Sequence, residues 1–149
     1  MDVFTSAAEL LRHHRPERPV LCLRPHAAAR AARWFLANFP GQVLYAAKAN
    51  DAAPVIAALV EAGITKFDVA SSVEIERVAV VPNAELYFMN PVKSRGSIRA
   101  AYREFRVRSF AFDSEDELDK ILDETGRAQD LSLYLRIECP NTHSLIPLE

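Results

Sequence analysis

Val43-Leu44-Tyr45-Ala46-Ala47-Lys48-Ala49-Asn50 is an apolar run that carries one lysine and stops at an Asn50-Asp51 turn. Read as a strand, it alternates sides, so Lys48 shares a face with Ala46 and Leu44 while Tyr45 and Ala47 face the other way. Such a face normally buries apolar groups. A lysine there, crowded only by an alanine two residues before it, loses part of its hydration. Its pKa then falls and it becomes a usable nucleophile toward a carbonyl. The competing reading is a lysine that snorkels from the strand end into solvent, and periodicity alone leaves both open.

Outward from this run, short strands alternate with helices. The pattern predicts strands over Gln42–Ala47, Lys66–Ala70, Glu85–Phe88, Ser109–Phe112 and Leu131–Ile137, separated by helical stretches over 53–62, 73–80, 97–105 and 115–124. A helix from about His26 to Asn38 precedes the first strand, and a short one over Thr5–Arg12 opens the chain. Recurrence at roughly twenty-residue spacing implies right-handed βαβ crossovers and a parallel sheet. Gly63 and Gly126 fall just past helices, where a left-handed cap suits glycine. Ser71-Ser72-Val73-Glu74 and Ser114-Glu115-Asp116-Glu117 both read as capping boxes.

An alternating βα chain closes into an eight-stranded barrel or opens into a doubly wound sheet. With only Gly41, Gly63, Gly96 and Gly126 in the chain, neither GxGxxG nor GxxxxGK can be written. Polar residues stand at the strand ends instead: Lys48 with Asn50, Asp68 with Ser71, Asn90, Asp113, and Arg136 with Glu138. In both architectures chemistry gathers at the carboxyl ends of strands, so Lys48, Asp68 and Arg136 can share one face.

Composition narrows the partners. The chain has 149 residues, enough to bury roughly 68 to 70% of its unfolded surface on folding. Half of it is hydrophobic and 26% charged, the balance of a globular domain. A net charge of −2 and a pI near 6.1 give no reason to expect nucleic acid or an anionic membrane. No apolar run approaches the roughly 20 residues needed to span a bilayer. Cys22 and Cys139 form no CxxC, and His13, His14, His26 and His143 lack metal-ligand spacing. The expectation is therefore two free thiols, no metal, a small-molecule partner and a cytoplasmic location.

Five motifs in order resemble one family: Tyr45-Ala46-Ala47-Lys48-Ala49-Asn50, Phe67-Asp68-Val69-Ala70-Ser71 with Glu74, Asn90-Pro91-Val92-Lys93, Phe112-Asp113-Ser114 with Glu117-Leu118, and Leu135-Arg136-Ile137. The chain is similar to the ornithine, lysine and diaminopimelate decarboxylases, fold-type III enzymes that use pyridoxal 5'-phosphate. The Asn90-Pro91 turn followed by Lys93 looks more like the ornithine/lysine branch. The resemblance implies a partial (β/α)8 barrel of the alanine racemase-like kind. Residues 1–17 would form a helical lead-in and 18–149 the N-terminal part of the barrel, stopping after the fifth strand, with the C-terminal β domain absent.

Carried over by position, Lys48 looks like the lysine that forms the internal aldimine, and Asp68 and Arg136 look like residues close to the cofactor. Each has a plainer alternative. Asp68 can open a turn or help cap the next helix. Arg136 can be a surface ion pair worth about 0 to 1 kcal/mol, and strand parity does not settle which face it takes. Capping alone accounts for Glu74.

The resemblance further implies a basic amino acid substrate, ornithine first and lysine second, a diamine product for polyamine biosynthesis, and a homodimeric full-length parent. It also implies that the cofactor-stacking histidine, the glycine-rich phosphate turn, the acid for the pyridine nitrogen and the cysteine-bearing segment of the partner are missing here, so the chain alone is expected to be inactive. The alternatives are a non-catalytic regulatory or interaction homologue and an unrelated α/β binding module.

Overall fold

In the computed structural model, residues 3–138 are described. Five strands, β1 (Tyr45–Ala46), β2 (Lys66–Val69), β3 (Glu85–Phe88), β4 (Ser109–Phe112) and β5 (Ser132–Leu135), lie in chain order, each parallel to the next. Six helices accompany them: α1 (Ala7–His14), α2 (Pro25–Asn38), α3 (Ala53–Glu61), α4 (Ser72–Ala79), α5 (Arg95–Arg103) and α6 (Glu115–Thr125). A doubly wound sheet reverses its strand order at a switch point. The order β1-β2-β3-β4-β5 does not, and it is the order of a barrel wall.

The register shows what each face holds. Tyr45 pairs with Phe67, Phe67 with Leu86, Phe88 with Phe110, and Phe110 with Leu133. This row meets Ala32, Val55, Ile56, Leu59, Ile75, Val78, Ile98, Ala101 and Ile121 from the helices in one core. All the helices that feed the core therefore cover the same face. Phe67, Phe88, Phe110, Ile75, Ile98 and Ile121 are fully buried, each contributing roughly 1.5 to 3 kcal/mol by leaving water.

The opposite row carries the polar groups: Asp68 beside Ala46 and Tyr87, and Ser109 beside Tyr87 and Ser132. Lys66 Nζ donates to Gln42 Oε1 at 2.7 Å and lies 3.4 Å from Glu85, while the Tyr87 and Tyr134 rings stand 6.1 Å apart. The polar face is thus the one turned away from the helices, which resolves the parity left open by sequence.

Helix ends follow local chemistry. Ser6, Ser71, Ser94 and Ser114 cap α1, α4, α5 and α6, each hydroxyl accepting from the N–H three residues on. The serine at position 94 starts α5 two residues earlier than periodicity predicts, and Ser6 moves α1 to 7–14. Gly126 takes φ +67° and Gly63 φ +105°, as their places past helices require.

Three expectations need correction. β1 is two residues long, because it sits at a sheet edge with one partner and the chain turns at Ala47. β5 is shorter than 131–137, and its helix-side residues Leu133, Leu135 and Ile137 are exposed among the described residues. The box at Ser114 is half formed, since the carboxylate of Glu117 goes elsewhere. Cys139 and His143 lie outside the described residues, while Cys22 is exposed and free. No helix of the described residues is long and apolar enough to cross a membrane.

Candidate functional site at the carboxyl ends of the strands

Lys48 does not stand on a strand. It is the middle residue of a 3-10 turn, Ala47–Ala49, directly after β1, and it is exposed. Two bonds turn the chain there: the Tyr45 hydroxyl donates to Asn50 O at 3.0 Å, and Ala52 N donates to Asn50 Oδ1 at 3.1 Å. Ala47 is sealed in the core, and the next residue swings outward. The amine is accordingly exposed, as in the solvent-facing alternative, though it stands on a turn and not at a strand end.

Asp68 is the third residue of β2, on the polar face, level with Ala46. Partial burial raises its carboxyl above the ordinary aspartate value; the Lys48 ammonium opposes that rise and the Glu74 carboxylate adds to it. Lys48 and Asp68 are thus electrostatic neighbours at the carboxyl ends of adjacent strands. Glu74 is committed to the start of α4. Its Oε2 accepts from Ala70 N at 2.9 Å and its Oε1 from the Ser71 hydroxyl at 3.0 Å, so the capping reading accounts for it fully.

Arg136 follows β5, and its N–H donates to Phe112 O at 2.8 Å, extending the ladder by one rung. Alternation puts it in the row of Ser132 and Tyr134, on the polar face with Asp68. β3 and β4 stand between that strand and β2, and the Arg136 side chain pairs with neither Lys48 nor Asp68 among the described residues. The structure joins Lys48 with Asp68 and leaves Arg136 apart.

Sequence reasoning missed the most heavily bonded polar group near these strand ends. The Lys93 side chain is 0% exposed and sits 2.9 Å from Glu117, itself 3% exposed. Lys93 Nζ also donates to Asn90 O at 3.0 Å and to Ala111 O at 2.6 Å. Burial pulls its ammonium below the ordinary lysine value, and Glu117 works against that. Glu117 holds Lys120 as well, at 2.5 Å. The only signal was Lys93 following the Asn90-Pro91 turn, and a capping box already explained Glu117.

A carbonyl cofactor attached through an amine needs that amine reachable and beside a group that can take its proton. Lys48 is reachable and has the Asp68 carboxyl as its charged neighbour; Lys93 has Glu117 beside it but is fully enclosed. The donor set at the ends of β1 and β2 therefore fits pyridoxal 5'-phosphate attachment at Lys48.

Comparison with known proteins identifies the family of the chain. Residues 26–148 match the family model of the pyridoxal-dependent decarboxylase pyridoxal-binding domain. The lysine/ornithine decarboxylase of Selenomonas ruminantium is 34% identical over 108 residues, covering 71% of this chain and 26% of that protein. The ornithine decarboxylase of Panagrellus redivivus is 39% identical over 94 residues, covering 62% of this chain and 20% of that protein. The crystal structure of SrLDC in complex with PLP and cadaverine superposes with a TM-score of 0.74 at 27% identity, over 99% of this chain and 38% of that one. The chain spans about a quarter of the length of the curated relatives it matches. Its five parallel strands and their helices correspond to part of the decarboxylase barrel domain.

Proposed function

This chain belongs to the pyridoxal-dependent decarboxylases, within their pyridoxal-binding domain, and from that premise we propose that it is the cofactor-attaching portion of a basic amino acid decarboxylase. Residues 18–149 would be the N-terminal part of its barrel, preceded by the helical lead-in. The observation that carries the reading is the exposed Lys48 amine acting on the half-buried Asp68 carboxyl at the ends of β1 and β2. Ornithine is the first substrate assigned and lysine the second, supported by the names of the two curated relatives.

The cofactor, when bound, supplies an electron sink for the charge left when carbon dioxide departs. The chain's own residues prepare for it. Lys48 would supply the attacking amine, with Asp68 on β2 as its charged neighbour: burial favours the protonated form of that carboxyl, and the cation beside it favours the carboxylate. Arg136, on the same face of β5, would serve the far side of the site. The complete enzyme would be a cytoplasmic homodimer yielding a diamine. The 149-residue chain by itself would release no carbon dioxide from ornithine or lysine.

Incubation with pyridoxal 5'-phosphate, borohydride reduction and peptide mass spectrometry test this. The expected result is one pyridoxyl group on Lys48, lost in Lys48→Ala. Labelling of Lys66 or Lys93 instead, or no label on a folded chain, would overturn the reading, the latter favouring a non-catalytic homologue. Family membership sets aside the unrelated binding module.

A further inference from the structure

β3 and β4 share two register pairs, Tyr87 with Ser109 and Phe88 with Phe110, whereas β2–β3 and β4–β5 each share four. Past Phe88 the two strands have no paired residues. The backbone shows where their free carbonyls turn. Arg108 O and Phe112 O accept from Ser132 N and Arg136 N on the β5 side, so alternation directs Ala111 O toward β3. Met89 N donates to Val69 O on the β2 side, so Asn90 O is directed toward β4. The Lys93 ammonium lies between these two carbonyls and donates to both. Its third partner is Glu117, in the first turn of α6, and Lys93 N also donates to Glu117 Oε1 at 3.2 Å. One residue thus ties the turn after β3 to both the strand and the turn of the next βα unit.

We propose that Lys93 is a positioning residue for the site, its buried ammonium standing in for the missing rungs between β3 and β4 and holding the turns at Asn90–Ser94 and Asp113–Glu115 at fixed height around the strand ends. An ammonium suits the task because its three protons point in three directions, matching two carbonyls and a carboxylate. With all three engaged and no exposed surface, Lys93 is closed to a cofactor and acts only through what it holds. The consequence for cofactor attachment rests on the function proposed above; the consequence for the two turns does not.

The test compares the wild-type chain with the pair Lys93→Met/Glu117→Gln, which leaves no lone buried charge, and with Glu117→Gln alone. In the paired variant, with circular dichroism unchanged, amide exchange should quicken about tenfold at Lys93, Ser97, Glu117 and Leu118, whose N–H groups are bonded at the two turns, while α2 and α3 stay protected. The apparent affinity for pyridoxal 5'-phosphate at Lys48 should fall about tenfold. Glu117→Gln alone, which spares both carbonyl bonds, should quicken exchange at Lys93, Glu117 and Leu118 but not at Ser97, and it carries the test if the paired variant does not fold. Unchanged exchange at these amides in either variant would overturn the proposal, as would unchanged affinity in the paired one. No adduct even in the wild-type chain would sink the proposed function, while exchange would still judge the clamp.

Discussion

Replacing Glu117 by glutamine should strip Lys93 of its counter-charge without altering volume, and the size of the penalty follows from the burial. Lys93 would keep two neutral carbonyl acceptors and no exposed surface. Breaking one side of a buried ion pair costs roughly 3 to 5 kcal/mol. The upper end is capped, because at pH 7 a lysine can escape by releasing its proton. From the ordinary value of 10.5, at about 1.36 kcal/mol per pH unit, that escape costs no more than about 5 kcal/mol. The reverse substitution, Lys93→Met, should cost less, about 3 kcal/mol. Glu117 would still hold Lys120 at 2.5 Å and accept from the backbone N–H of residue 93.

The two variants should differ most in their pH dependence. A lysine whose folded value lies below its unfolded value is protonated more readily in the unfolded chain between the two. Stability therefore rises with pH across that window, by up to about 1.4 kcal/mol per unit for one proton. Urea unfolding at pH 7, 8 and 9 should show the Glu117→Gln penalty shrinking toward high pH, beyond any slope of Lys93→Met. The paired variant should cost less than the sum of the single ones by about 2 kcal/mol or more, as expected for groups in direct contact. Single penalties below about 1 kcal/mol, or a Glu117→Gln penalty flat from pH 7 to 9, would refute a load carried by this pair.

Two further outcomes are expected. Asp68 has a folded value raised above 3.8, so its ionisation weakens the fold as pH rises through that raised value. Asp68→Asn should therefore be slightly more stable than wild type at pH 7, by no more than about a few tenths of a kcal/mol because solvent screens this half-buried group, with the gap closing below pH 3.8; thermal midpoints at pH 3, 5 and 7 decide it, and an even gap would count against the cause given. Gly96, inside α5 with nothing within 4 Å of an added Cβ, should accept alanine with a gain of roughly 0.4 to 1 kcal/mol, whereas Gly126→Ala at φ +67° should lose about 1 kcal/mol or more; urea midpoints moving in the same direction would contradict this.

Periodicity located β3 and β4 to the residue because each is flanked by partners on both sides and its alternation is complete. Helix starts were legible where a serine stands three residues before a donor it can satisfy, as at Ser71 and Ser114. Asp68 and Lys48 were legible as strand-end residues, and the structure makes them neighbours. The environment of Lys48 was not legible. Alternation describes an extended chain, and the Asn50 turn with the Tyr45 hydroxyl bond ends that extension two residues before the lysine. The Lys93–Glu117 pair was hidden for a different reason. Its partners are 24 positions apart, and a local rule already gave Glu117 a sufficient task. The real partner depends on α6 and the turn after β3 arriving side by side, which no local rule states.

Chain-order pairing of the strands also shapes how the molecule can assemble. Every ladder closes a loop of roughly twenty residues, so each step pays a similar entropy of closure and none waits for distant segments to meet. Assembly can proceed by adding one βα unit to the last. The weakest step in the middle is the one between β3 and β4, with two register pairs, and there the growing sheet depends on a buried ammonium whose counter-charge arrives only when α6 begins to form. Docking of the third and fourth units is thereby made cooperative with the folding of the helix that follows them.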